Sequence, residues 1–202
     1  MSLFRQAVFF RSVYDLKELP EDDAAEIAFA GRSNAGKSSA INALANHKRL
    51  AFTSKTPGRT QTINFFSLGP RCYLVDLPGY GYAAVPAKEK RHWGELISAY
   101  LQTRASLRGL VLIMDARHPF TDLDRQLLGW LRPLHKPSHV LLTKADKLGK
   151  QEAAATLRTA EAEAGRYPLC SVQLFSSTAG MGINTAQKIL AQWLKPQIKT
   201  PG

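Results

Sequence analysis

The chain has 202 residues, of which 45% are hydrophobic and 21% charged, so its composition is that of a folded domain and excludes a wholly disordered protein. It has no run of 18 apolar residues and only two cysteines, Cys72 and Cys170, which excludes a transmembrane helix and argues against a disulfide scaffold or a zinc site. The formal net charge of +11 indicates a polyanionic partner, most often nucleic acid.

The first part of the chain predicts a strand, a helix and then a pair of strands. Residues 26–31 form a short apolar run that ends at a glycine, as in a buried strand, and residues 38–45 follow as a helix. Residues 46–60 have no sustained period and contain proline and glycine, which favours a loop. The strands predicted at 61–68 and 71–76 are separated by two residues, so we expect them to pair antiparallel.

In the rest of the chain, apolar strands alternate with helices. Apolar side chains at 93, 96, 97, 100 and 101 fall on one face of a helix. The later elements, in chain order, are a strand at 109–115, a helix at 121–131 capped by Thr121, a strand at 139–143, a helix at 151–164, a strand at 170–175 and a helix at 184–194.

This alternation predicts an α/β fold with a mostly parallel six-stranded sheet, one antiparallel edge strand and helices on both faces. We expect residues 26–195 to form one domain. Residues 1–25 are expected to pack on it as an N-terminal extension, and residues 196–202 to form a C-terminal tail. Arg5 and Arg11 interrupt the apolar patch near the start, and no cleavage site follows, so no secretion signal is predicted.

The segment GRSNAGKS at residues 31–38 fits the phosphate-binding pattern G-x-x-x-x-G-K-[ST] between a strand and a helix. The glycines let backbone N–H groups curl around phosphate oxygens, and the following helix offers its N-terminus to the anion. Lys37 is expected to bridge the β- and γ-phosphates, and the Ser38 hydroxyl to bind Mg²⁺. The sequence therefore predicts a site for a nucleoside triphosphate.

Three shorter motifs follow the later strands. Asp76 begins the D-x-x-G string DLPG, where it could hold Mg²⁺ through a water, and the Gly79 amide could contact the γ-phosphate. Asp146 ends the string TKAD, and its carboxylate can accept two hydrogen bonds from guanine that adenine cannot offer. The polar string at residues 176–178 fits the short motif in which a backbone N–H meets guanine O6.

A threonine between the phosphate loop and Asp76 is expected to join Mg²⁺ in the triphosphate state. Thr53, Thr56, Thr60 and Thr62 all qualify by residue type. We favour Thr60 because it directly precedes the strand predicted at 61–68. The loop at 47–60 is then a switch that the γ-phosphate orders.

Taken together, these strings resemble one family. EIAFAGRSNAGKSS, TPGRTQTINFF, DLPGYGYA, TKAD and FSS occur in order, and the likeness to the EngB (YihA/YsxC) family of bacterial Era/TrmE-like GTPases covers about residues 5–195. The resemblance implies a Ras-like P-loop GTPase fold, binding of Mg²⁺ and GTP or GDP, and a role in large ribosomal subunit assembly. It also implies a requirement for normal cell division and septation.

On this resemblance, the magnesium ligands map to Ser38 and Thr60, with Asp76 acting through a water, and the catalytic set is Lys37, Asn34, Thr60 and Gly79. The contacts to GTP map to five segments, whose residues are Gly31, Arg32, Ser33, Asn34, Ala35, Gly36, Lys37 and Ser38; Gly58, Arg59, Thr60, Gln61 and Thr62; Asp76, Leu77, Pro78 and Gly79; Thr143, Lys144, Ala145 and Asp146; and Phe175, Ser176, Ser177 and Thr178.

Tyr80 follows the D-x-x-G motif, at the position where Ras-type enzymes carry a glutamine that orients the attacking water. Tyrosine offers no amide and no acidic base is evident nearby, so we predict slow intrinsic hydrolysis. Related GTPases with asparagine at the position of Asn34 use K⁺ to neutralise transition-state charge, and the resemblance extends this role to Asn34. The alternative is that Asn34 only forms the turn.

The positive charge is concentrated in residues 47–91, which have eight basic and two acidic side chains, a net charge of +6. The segment contains both predicted switches. The hypothesis is that the γ-phosphate orders its basic residues into a surface that faces rRNA and that hydrolysis releases: Lys48, Arg49, Lys55, Lys88, Lys90 and Arg91. We expect a cytoplasmic monomer that binds the large ribosomal subunit or its precursor and no membrane.

Two other functions fit parts of the sequence. A nucleotide kinase would share the phosphate loop, but the chain shows neither an arginine-rich lid nor an acceptor site. A basic RNA-binding protein would use the phosphate loop only as a structural element. Binding of GDP without binding of ATP would separate the GTP switch from both.

Overall fold

The computed structural model describes residues 3–21, 23–52, 62–81 and 87–195, and the side chains of all of these except 87–93. In this part of the chain, seven strands form one sheet: β1 (Val8–Val13), β2 (Ala25–Gly31), β3 (Ile63–Gly69), β4 (Cys72–Asp76), β5 (Leu107–Asp115), β6 (Ser138–Thr143) and β7 (Cys170–Leu174). Five α-helices accompany them: α1 (Lys37–Ala45), α2 (Ala87–Thr103), α3 (Asp122–Leu131), α4 (Lys150–Ala164) and α5 (Ile183–Trp193).

The strand order is β1-β3-β4-β2-β5-β6-β7. Strand β3 runs antiparallel to both β1 and β4, and the other neighbouring pairs are parallel. The predicted α/β class, with a mostly parallel sheet and helices on both faces, is confirmed. The ends of the predicted strands lie within two residues of the observed ones.

The sheet has one more strand than predicted. Strand β1 lies in the segment expected to be an N-terminal extension, and it pairs with β3 at the edge of the sheet. Its sequence, VFFRSV, does not alternate between apolar and polar residues, because all of its residues but Val13 are exposed. A strand at an exposed edge therefore lacks the sustained apolar run that identified the buried ones.

A separate layer of helices covers each face of the sheet. Helices α1 and α5 and the 3₁₀ turn Leu3–Gln6 form one layer, in which Ile41, Leu190 and Phe4 are fully buried. Helices α2, α3 and α4 pack against the other face, around buried side chains such as Ile97 and Leu128. Because the parallel strands all point the same way, the motifs that follow them meet at the carboxyl ends of these strands.

Strands β2 and β5 approach closely near their carboxyl ends. A Cβ atom on Gly31 would lie 2.8 Å from the carbonyl oxygen of Ile113 and 2.9 Å from its Cβ. Glycine is therefore required at the end of β2 by its neighbour β5, in addition to any role toward a ligand.

A buried ion pair lies at the amino ends of the central strands. Arg104, just after α2, donates from Nε to both carboxylate oxygens of Glu26 in β2 at 3.0 Å. The Tyr100 hydroxyl donates to the same carboxylate at 2.7 Å, so the C-terminal end of α2 is fixed to β2. No helix in the described ranges is both long and apolar enough to cross a membrane.

Candidate functional site

The phosphate-loop segment forms a tight turn between β2 and α1. Asn34 and Gly36 have positive φ angles of 63° and 97°, and glycine adopts such a conformation without steric cost. The Ala35 N–H donates to the Arg32 carbonyl at 3.0 Å and closes the turn. Gly36 is the N-cap of α1 and has no side chain to satisfy the helix's first N–H groups, an arrangement that suits an anion.

Lys37 and Asp76 form an ion pair beside this turn. Their side chains are 12% and 9% exposed, respectively. The Ser38 hydroxyl lies next along α1 and donates to the Phe52 carbonyl at 3.4 Å. Oxygen donors from a hydroxyl and a carboxylate are the ligands that Mg²⁺ prefers, so the residues present fit the predicted metal.

The loop after β4 is attached to the first turn of the phosphate loop. The Ser33 N–H donates to the Tyr80 carbonyl at 2.7 Å, and the Tyr80 N–H donates to the Gly31 carbonyl at 3.3 Å. A Cβ atom on Gly79 would lie 3.7 Å from the Gly31 oxygen and the Ser33 nitrogen. The structure thus places Gly79 against the phosphate loop.

The Tyr80 side chain points into the core and is 2% exposed. Its hydroxyl donates to one oxygen of the buried Asp124 carboxylate at 2.5 Å. The other oxygen accepts from the N–H and the hydroxyl of Thr121, at 2.8 and 2.7 Å, in a capping box at the start of α3. Burial, and then the negative charge of Asp124, raise the pKa of Tyr80 well above its usual value, so the hydroxyl keeps its proton.

Sequence reasoning treated Tyr80 only as a missing glutamine and did not find its link to α3. The observed contact joins residues that are 44 positions apart. The available signal was Asp124 three positions after the predicted cap, Thr121, because that spacing indicates a capping box and hence an inward-facing carboxylate. The cap at Thr121 itself is confirmed.

The first two residues of the TKAD string contact the phosphate loop. Thr143 is 3% exposed, and its hydroxyl lies 2.5 Å from the Ala35 carbonyl oxygen and 2.9 Å from that of Met114. The Lys144 ammonium donates to the Asn34 carbonyl at 2.7 Å and to the Asp115 carboxylate at 2.9 Å. Both side chains therefore support the turn from behind.

Asp115 is the charged support of Lys144. The Arg117 guanidinium donates to it at 2.9 Å and 2.6 Å and, together with Lys144, holds the pKa of the Asp115 carboxyl well below its usual value. The carboxylate is therefore ionised throughout the physiological range, and it keeps the Lys144 ammonium directed at the phosphate loop.

The last residue of TKAD meets the string after β7. The Ser176 hydroxyl donates to the Asp146 carboxylate at 2.6 Å and accepts from the Ala179 N–H at 3.0 Å. The hydrogen bond from Ser176 lowers the pKa of Asp146, so this carboxylate stays an acceptor at neutral pH. The two strings predicted to read a base are thus in direct contact.

The remaining predicted residues differ in what they can offer. Leu77, Ala145 and Phe175 are buried in the core, so only their backbones can reach a ligand. The Thr62 hydroxyl donates to Asn64 at 3.1 Å, along β3. The Arg32 Nε lies against Gly81, 3.3 Å from where a Cβ atom would be. Four predicted contacts lie outside the described residues: Gly58, Arg59, Thr60 and Gln61.

Known proteins are similar to this chain in sequence and in fold. A family model described as "50S ribosome-binding GTPase" matches residues 26–144. The "Probable GTP-binding protein EngB" of Azoarcus sp. (strain BH72) is 60% identical over 198 residues, which cover 97% of this chain and 95% of that protein. The protein of the same description from Nitrosomonas europaea is 56% identical over 192 residues, covering 95% and 86%.

A solved structure agrees with these relatives. The crystal structure of a probable GTP-binding protein engB superposes with a TM-score of 0.68 at 23% identity, over 84% of this chain and 98% of that one. A likeness at this identity shows the shared fold.

Tyr80→Phe removes only the hydroxyl that joins the loop after β4 to Asp124. We expect the free energy of unfolding to fall by about 1.5–3 kcal/mol, because a buried hydrogen bond to a charged group is lost. Urea unfolding followed by circular dichroism measures this change. Tyr14→Phe makes the same chemical change at an exposed position and should alter stability little; equal effects of the two variants would contradict a supporting role for the Tyr80 hydroxyl.

Proposed function

Because the chain belongs to the EngB family of GTP-binding proteins, we propose that it is a GTPase switch in the assembly of the large ribosomal subunit. One observation carries the proposal: the segment that contains Asp146, the residue we propose to read guanine, also supports the phosphate loop through Thr143 and Lys144. The phosphate and base halves of the site thus form one continuous hydrogen-bonded unit. The description "50S ribosome-binding GTPase" of the matching family supports the large subunit as partner.

The reaction that fits this site is in-line attack of water on the γ-phosphate, promoted by positioning and by neutralisation of charge. Lys37 supplies a fixed positive charge at the first turn of α1, where the N–H groups also point toward an anion. Ser38, Asp76 through a water, and Thr60 would hold Mg²⁺, which supplies further neutralisation of the phosphate oxygens. Gly79 would present its N–H to the γ-phosphate.

Intrinsic hydrolysis is proposed to be slow. The Tyr80 hydroxyl donates to Asp124 in the core, so it is not available to orient a water at the γ-phosphate. An activator that supplies the missing group is then part of the cycle. The same proposal includes a cytoplasmic monomer and a requirement for normal cell division and septation, by way of ribosome supply or directly.

Asp146→Asn should exchange guanine for xanthine, because the new amide donates where the 2-amino group of guanine also donates, whereas xanthine has an acceptor there. We expect the affinity for GDP to fall by at least about 100-fold, through two lost hydrogen bonds to a charged acceptor. Competition between GDP and XDP in equilibrium binding measures the preference. Asp122→Asn, the same change on the exposed surface of α3, should leave it unaltered. An unchanged preference for GDP in Asp146→Asn would reject the base-reading role.

Asn34 is proposed to hold K⁺ at the phosphates during hydrolysis. Its backbone forms the left-handed turn, and the residue is exposed, so its side-chain amide can serve a ligand. GTP hydrolysis should then be several-fold faster in potassium chloride than in sodium chloride. Asn34→Gly keeps the positive φ without cost and removes the amide, so it should abolish this difference. Equal rates of the unaltered protein in the two salts would leave Asn34 as a turn residue alone.

Association with the ribosome tests the function directly. The proposed switch should co-sediment with 50S subunits in the presence of a non-hydrolysable GTP analogue and dissociate with GDP, because the γ-phosphate orders the switch segments. Sedimentation with 30S subunits is the control for general affinity to rRNA. Binding to 50S that is the same with either nucleotide would overturn the switch. Failure to bind GDP and GTP would instead favour an RNA-binding protein with a structural phosphate loop.

A further inference from the structure

The two helix layers of the sheet differ in charge. Helices α2, α3 and α4 contain most of the acidic residues outside the first 26 positions: Glu89, Glu95, Asp122, Asp124, Glu152, Glu161 and Glu163. The opposite layer consists of the turn Leu3–Gln6, α1, residues 46–52 and α5, and these described segments contain no Asp or Glu. The sequence has no acidic residue anywhere between 27 and 75 or after Glu163.

On this layer, three segments meet at the C-terminal end of α1. The His47 Nε2 donates to the Arg5 carbonyl at 3.1 Å, which joins the N-terminal turn to the segment after α1. The Gln187 side chain of α5 donates to the Leu44 carbonyl of α1 at 2.7 Å. Exposed basic side chains from all three segments form what we call the basic face: Arg5, His47, Lys48, Arg49 and Lys188.

The turn that carries Lys48 and Arg49 is fixed in place. The side-chain oxygen Oδ1 of Asn42 accepts from the N–H groups of Leu50 and Ala51 at 3.0 and 2.8 Å, and its side-chain Nδ2 donates to the Ala51 carbonyl at 2.9 Å. Leu50 and Ala51 are themselves buried in the core. Lys48 and Arg49 are therefore held by α1, although they lie at the start of the predicted switch at 47–60.

We propose that the basic face binds the phosphate backbone of structured RNA and does so with either nucleotide bound. The inference rests on the proposed function for its biological partner. It assigns a permanent contact to Lys48 and Arg49, which the hypothesis from the sequence placed in a surface that the γ-phosphate orders. Lys and Arg contacts to phosphates gain affinity by releasing counterions, which requires charge but no particular base sequence. Neutralising the C-terminal dipole of α1 would account for Lys48 and Arg49, but it gives no role to Lys188 on α5.

The composition of this face favours RNA over an anionic membrane. Helices that lie on membranes insert an apolar side into the lipid. The apolar residues of α1 and α5 are used in the core, and in the described ranges neither helix has a large hydrophobic side chain among the exposed ones. Among the described residues of this layer, Phe52 alone is a large and exposed hydrophobic side chain, and it lies outside both helices. One such residue does not make the apolar helix side that a membrane requires, so the exposed charges suit a phosphate backbone.

The test compares two double variants that each remove two positive charges. Lys48→Ala/Arg49→Ala alters the basic face, and Arg132→Ala/Arg158→Ala alters exposed residues of the opposite layer. The probe is a fluorescein-labelled RNA duplex of about 20 base pairs, a length on the order of a double-stranded RNA footprint. Binding is followed by anisotropy between about 50 and 200 mM salt, with GDP and with a GTP analogue.

The basic-face variant should bind the duplex about tenfold more weakly, with a salt slope reduced by about 2, in both nucleotide states. The opposite-layer variant should differ from the unaltered protein by less than about twofold. Binding of fluorescent GDP should be the same in all three proteins, which shows that the variants are folded. Arg5→Ala/Lys188→Ala provides a second disruption of the face and should repeat the first.

Equal losses in the two double variants would reduce the effect to net charge and overturn the proposal. A loss of duplex affinity that is seen only with the GTP analogue would also overturn it. So would a protein that does not bind the duplex but binds vesicles of anionic phospholipid through Lys48 and Arg49. If the duplex is bound through the face but 50S subunits are not bound with either nucleotide, the proposed function fails and the basic face stands. If 50S binding depends on the nucleotide, but the basic-face variants still bind both the duplex and 50S subunits, the basic face is overturned and the proposed function stands.

Discussion

The site depends on two donors that reach the back of the phosphate loop. The left-handed residues Asn34 and Gly36 shape the backbone to direct N–H groups toward an anion, and carbonyl groups of the same turn then need partners on the protein side. Thr143 and Lys144 supply them, to the carbonyls of Ala35 and Asn34. The protein therefore fixes the conformation of the turn without a bound phosphate, which lowers the entropy cost of ordering the loop when a ligand binds.

The same turn also receives the loop that would sense the γ-phosphate. Through Ser33 and Gly31 it holds both backbone groups of Tyr80, and the Tyr80 side chain continues to the N-terminus of α3. Lys37 completes the arrangement from α1 by its ion pair with Asp76. A short series of hydrogen bonds therefore runs from the phosphate loop through Tyr80 to the start of α3.

The sequence was informative where local rules act alone. Apolar runs located the buried strands, and residue spacing located the turn between β2 and α1 and the cap at Thr121, since each depends on neighbours in the chain. It was less informative where partners are distant. Nothing local to the string TKAD shows that Thr143 is buried against the phosphate loop or that Asp146 faces Ser176. Likewise, the sequence shows that Tyr80 follows the D-x-x-G motif, but its core contact is with Asp124, which is 44 residues away at the start of α3.

Strand β1 shows what an edge requires of a sequence. A terminal strand with exposed aromatic residues would invite further strands to pair with its open backbone. Here the register shifts between Phe9 and Arg11, and the Arg11 guanidinium lies over the Phe10 ring at 4.8 Å. A bulge bends the strand and breaks the regular ladder, and a charged group beside it resists close approach by another chain. Strand β1 is therefore the last strand on this side of the sheet, and its bulge and its charge oppose the addition of a strand from another copy of the chain.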